Sequence, residues 1–102
     1  MTEPPRPADC TGMAEVRAGV DALDRRLVAL LAERFRYMDA AARIKTARDA
    51  VRDEPRKAAV IANAVAAARQ AGVPEAPVRD LWERLVEASI AYELDRFDAR
   101  DR

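Results

Sequence analysis

From about residue 12 to about residue 48, apolar side chains recur at three- and four-residue steps, beginning Met13, Val16, Val20, Leu23 and Leu27 and ending Met38, Ala42 and Ile44. Gly19 is the sole glycine after Met13 in this run, and no proline follows it until Pro55. The pattern predicts one helix of about 55 Å, since each helical residue rises about 1.5 Å. A compact domain of this length has a radius of gyration near about 13 Å. Such a helix outruns its own globule and must be covered by something else. A second identical chain is the simplest cover.

The chain has 102 residues, which predicts one domain with a core too small to be comfortable alone. Its 18 Lys+Arg balance 18 Asp+Glu, so it lacks the clustered excess of cations that nucleic acid or an anionic membrane requires. It has no histidine and a single cysteine, Cys10. His/Cys zinc sites, Ser-His-Asp triads, Cys-His dyads and intrachain disulfides are therefore excluded. Any catalysis must run on Arg, Lys, Asp, Glu, Ser, Thr or Tyr. The start, Thr2-Glu3-Pro4-Pro5-Arg6-Pro7, is polar and leads into no apolar signal segment, and no run of about 18 apolar residues occurs. A soluble, cytoplasmic protein is expected. Sixteen of the cations are arginine, leaving Lys45 and Lys57 as the only lysines.

Three segments follow from the pattern: an extended or disordered leader over 1–11, a helical domain over 12–98 and a tail over 99–102. Asp9 or Thr11 is placed to cap the long helix. The charged stretch after it ends at Pro55, which suits the first turn of a second helix that stops at Gly72. Val73-Pro74-Glu75-Ala76-Pro77 reads as a rigid connector with Pro77 opening a third helix. That helix carries Leu81, Trp82, Leu85, Val86, Ile90 and Phe97 on its apolar stripe. No strand alternation or internal repeat is present, so the class is all-α, with long, short and medium helices.

Several polar residues fall where the stripes should be apolar. Arg34 and Lys45 are separated by eleven residues, which brings them within about 20° of one helix face, with Cα atoms about 16 Å apart. They either bracket a small anion, pair with acids or snorkel to solvent. Arg17 lies about 25 Å from Arg34 along the helix and about 100° around it, so the two cannot serve one small ligand within a chain. Arg17 is either an ordinary surface arginine or meets the Arg34 of an antiparallel partner. On the third helix Ser89 and Glu93 are neighbours on the apolar stripe, where a glutamate is costly unless paired, protonated or bound to a ligand. Arg52, Asp53 and Arg56 flank the start of the second helix and also read as solvated loop charges. Cys10 carries no local activating pattern, and Trp82 and Tyr92 read as packing residues.

This series resembles the all-helical chorismate mutases. The resemblance rests on Val16-Arg17 through Asp24, Leu30-Leu31-Ala32-Glu33-Arg34, Ile44-Lys45, Val51-Arg52-Asp53 with Arg56, and Ser89-Ile90-Ala91-Tyr92-Glu93, and it spans about residues 12 to 97. It implies an intertwined homodimer of three-helix chains in which each of two sites borrows an arginine from the other chain. By resemblance, Arg17 of the partner subunit, Arg34 and Ser89 hold the two carboxylates of a small dianion, with help from Arg56. Lys45 and Glu93 flank its ether oxygen, and Asp53 faces its ring hydroxyl. Lys45, Glu93 and Arg34 are the implied catalytic set.

The implied reaction is the rearrangement of chorismate to prephenate in aromatic amino-acid biosynthesis, a pericyclic shift that needs no nucleophile, metal or cofactor. The site's task is to hold a flexible dianion as a compact chair and to stabilise charge growing on the ether oxygen. Glu93 donates a hydrogen bond there only when protonated. The mutases often carry a glutamate directly after the loop arginine, where this chain has Lys57. The leader Asp9-Cys10-Thr11-Gly12 is similar to that of the isochorismate pyruvate lyases, which usually have glutamine at the position of Glu93. A lyase giving salicylate and pyruvate is therefore the alternative to a mutase. A non-catalytic helical dimerisation module is a third reading.

Overall fold

A computed structural model describes residues 3–100. Among them the chain forms three helices, α1 (Met13–Ile44), α2 (Glu54–Ala71) and α3 (Glu75–Ala99), with no strand. Short 3-10 turns at Pro7–Asp9 and Arg48–Ala50 complete the secondary structure. The chain divides into two compact units, one reaching to Arg36 and one beginning at Tyr37, so the division falls within α1.

In the first unit, the leader enters α1 through a local cap. The Glu15 carboxylate accepts both the main-chain N–H and the hydroxyl of Thr11, each at 2.9 Å. These bonds, led by the main-chain one, hold the Glu15 carboxyl below the usual carboxylate range. Asp9, the other capping candidate, instead takes Arg6 at 3.0 Å. The leader is not wholly extended, since Pro7–Asp9 forms a 3-10 turn. Between it and the first turns of α1 lies a cavity of about 450 Å³, lined by Pro4, Pro5, Val16, Gly19, Val20 and Leu23 among others. Further along, the apolar stripe of α1 stays open to solvent: Leu23, Leu27 and Leu30 are 49%, 56% and 61% exposed.

The second unit is built on the α2–α3 hairpin. Asp53 caps α2 by accepting the Arg56 N–H at 3.0 Å, and Pro55 occupies the first turn, where its missing N–H removes nothing. Gly72, at φ 72°, ends the helix in the left-handed conformation, with the Val73 N–H bonded to the Ala68 carbonyl at 2.8 Å. α3 begins at Glu75, two residues before the expected Pro77, because Pro74 already provides the turn and a proline in the first helical turn loses no hydrogen bond. Arg69 and Glu75 pair across this three-residue connection at 2.9 Å. Val51, Ile61, Val65, Val86 and Ile90 form the core, with Val60, Trp82 and Leu94 packed against it. Leu81, expected on the buried stripe, is 61% exposed.

α1 ends at Ile44 rather than near residue 48. The Lys45 N–H still bonds to the Ala41 carbonyl at 2.9 Å, after which the chain turns away through an extended Ala47. The turn carries Val51 into the α2–α3 core, where it is 5% exposed. Burial of that valine outweighs one more turn of helix.

Candidate active site

Lys45 is the first residue past the end of α1, and its ammonium donates to Glu93 Oε2 at 2.7 Å. The side chain of Glu93 is 6% exposed and that of Lys45 30%. The acid that the sequence places on an apolar stripe is thus paired, and its partner is a lysine. Glu93 sits on α3 one turn beyond Ser89, so both point from the same face. Ser89 is 3% exposed and donates its hydroxyl to the Leu85 carbonyl one turn back, at 2.7 Å. A hydroxyl has one proton, so Ser89 must swing from that carbonyl to donate to a ligand.

Ser89 and Glu93 are buried polar side chains on α3, the helix that also supplies Val86 and Ile90 to the core, and Lys45 reaches the second of them. Breaking such a pair by removing one partner costs about 3–5 kcal/mol when both groups are fully buried, and solvent at Lys45 lowers that figure here. The arrangement offers an ammonium 2.7 Å from its carboxylate acceptor, an acceptor that the oxygen of a bound ligand can replace.

The remaining expected site residues are placed differently. Asp53 uses one carboxylate oxygen as the α2 cap, and Arg56 supplies the N–H it holds, while the Arg56 side chain is exposed. Arg17 is exposed and Arg34 half-buried, both on the portion of α1 within the first unit. Tyr92, read as a packing residue, donates its hydroxyl to Asp39 at 2.8 Å.

Two clusters were not anticipated. In the first, Arg52 grips Glu87 with two nitrogens at 2.8 and 3.1 Å and reaches Glu54 at 2.9 Å. Lys57 joins it, bonded to Glu83 at 2.6 Å and Glu87 at 2.8 Å. The Arg52 guanidinium, and then the Lys57 ammonium, pull the Glu87 carboxyl down to about 2. Lys57 in turn is held protonated to higher pH, by Glu83 and then Glu87. Lys57 therefore ties α2 to α3, and the sequence hint was its rarity in an arginine-rich chain. In the second cluster, Arg48 takes both carboxylate oxygens of Asp98 at 2.9 and 3.2 Å, and Arg100 donates to the Ala42 and Lys45 carbonyls. Neither was signalled by periodicity, because both lie on charged surface stretches.

The profile of the type II chorismate mutases matches residues 16–94, which takes in all of α2, most of α1 and α3, and each of the site residues described above. The chain belongs to the type II chorismate mutase family. A curated relative is similar to this family member over most of its length: the isochorismate pyruvate lyase of Pseudomonas aeruginosa is 31% identical over 88 residues, covering 86% of this chain and 87% of the relative. The three-helix, strand-free architecture of the described residues is consistent with that family, and no described helix is long and apolar enough to cross a membrane.

Proposed function

We propose that this chain is a chorismate mutase, converting chorismate to prephenate within aromatic amino-acid biosynthesis in the cytoplasm. The observation that supports the reading most directly is the Lys45–Glu93 pair, whose acid is buried on α3. In the rearrangement, the ether C–O bond breaks as a C–C bond forms between the enolpyruvyl methylene and the ring, with no atom gained or lost. Negative charge grows on the ether oxygen as that bond lengthens. Lys45 Nζ donates to that oxygen, and a protonated Glu93 donates a second hydrogen bond. Lys45 reaches that oxygen by exchanging its bond to Glu93 for one to the substrate, and Glu93 joins it as a donor once it carries a proton.

The substrate's two carboxylates require cations placed to fix the chair. Arg34, Ser89 and Arg56 of one chain and Arg17 of the partner subunit take that role, with Asp53 at the ring hydroxyl. The homodimer this needs is supported by the solvent-open stripe of Leu23, Leu27 and Leu30 on α1, a patch of the kind that an identical chain covers.

A second reading has its own support. The lyase relative, the leader Asp9-Cys10-Thr11-Gly12 and the engagement of Lys57 with Glu83 and Glu87 favour cleavage of isochorismate to salicylate and pyruvate. That reaction breaks the same kind of ether bond, so Lys45 serves it equally. Purified protein assayed separately with chorismate and isochorismate, reading prephenate, salicylate and pyruvate, tests both. Prephenate as the faster product supports the mutase; salicylate with pyruvate supports the lyase; inactivity on both substrates overturns both and leaves a dimerisation module.

A further inference from the structure

The ammonium of Lys45 is placed by contacts made far from it in sequence. Where α1 stops, its last carbonyls have no helical N–H to meet. Arg100, the residue just past α3, fills that gap: its Nη1 donates to the Ala42 carbonyl at 2.7 Å and to the Lys45 carbonyl. Its guanidinium lies 4.1 Å from the centre of the Phe97 ring, which fixes the fork's direction. A cation at a helix C-terminus is also favoured by the aligned peptide dipoles. One turn on, Arg48 and Asp98 form a second two-pronged tie between the same segments. Lys45 is thereby held by its main chain through Arg100 and by its side chain through Glu93, one anchor just past α3 and the other on it.

We infer that Arg100 is a positioning residue for Lys45, holding the end of α1 so that the lysine ammonium meets the breaking ether bond. The inference rests on the functional reading above, in which Lys45 carries charge stabilisation. Arg100 touches no substrate. It acts through the Lys45 main chain, so its loss lets the ammonium drift while the arginines that bind the carboxylates stay in place.

The test is a double-mutant cycle on the full-length chain with Arg100→Ala, Lys45→Ala and the pair together, using whichever of the two substrates the protein turns over. Arg100→Lys accompanies them, keeping the charge but not the fork, and thermal melts confirm folding. Since a misplacement of about 1 Å can cost about 100-fold, Arg100→Ala is expected to lower kcat by about 10- to 100-fold with KM within about twofold. Arg100→Lys recovers part of the loss, and the double variant is no slower than Lys45→Ala. An unchanged kcat in Arg100→Ala beside an inactive Lys45→Ala, or a double variant that loses the product of the two factors, overturns the positioning role alone. Full activity in Lys45→Ala overturns the functional reading itself.

Discussion

Lys45 and Glu93 are 48 residues apart in sequence and 2.7 Å apart in space, and their pair binds the end of α1 to the buried face of α3. Such a pair is weak evidence for stability, because an apolar pair of equal volume would serve the core as well or better. Under the proposed function the pair serves instead as a binding point for a ligand oxygen.

Lys45→Ala is expected to lower kcat by about 100- to 1,000-fold, the scale seen when one preorganised donor to a developing oxyanion is removed. The oligomeric state should be unchanged, since Lys45 makes no part of the open α1 stripe. Steady-state kinetics with both substrates and sedimentation of the same sample check the two halves. Retained turnover removes Lys45 from the mechanism.

Glu93→Gln keeps a hydrogen-bond donor at this position, so the variant should stay active, whereas Glu93→Leu removes it and should lower kcat by about 100-fold. Steady-state kinetics of the three proteins check this, and a leucine variant as fast as wild type would sink the assignment.

Arg17 and Lys45 are expected to complement each other between chains. In a heterodimer of Arg17→Ala and Lys45→Ala chains, one site receives both intact residues and the other neither. After subunit exchange, an equal mixture of the two inactive variants should recover about a quarter of the wild-type rate, since half the dimers are mixed and each has one complete site. Persistent inactivity with heterodimers shown by mass spectrometry argues against sharing of the site.

Glu87 makes acid stability measurable. Its carboxyl is depressed to about 2 by Arg52 and Lys57, so the native state favours the ionised form relative to the unfolded chain. The stabilisation is full above the ordinary carboxylate value of 4.5 and disappears as pH falls through about 2. Thermal melts of wild type and Glu87→Gln should therefore differ most near neutral pH and converge toward pH 2. A gap that stays constant across that window would show that the network adds nothing through charge.

The three helices were legible in the residues because their determinants are local. Apolar side chains every three or four positions set α1, the Asp53–Pro55 start and Gly72 stop set α2, and one stripe from Trp82 to Ile90 sets α3. The same spacing exposed Lys45, Ser89 and Glu93 as polar residues on apolar faces. What the sequence could not decide is who meets whom. The end of α1, the partner of Glu93, the engagement of Lys57 and the place of Arg100 all depend on contacts between residues tens of positions apart. Those contacts have no period to read. They exist only once the α2–α3 core has packed and drawn Val51 into it, which ends α1 and brings the last turn of α3 against the carbonyls left behind.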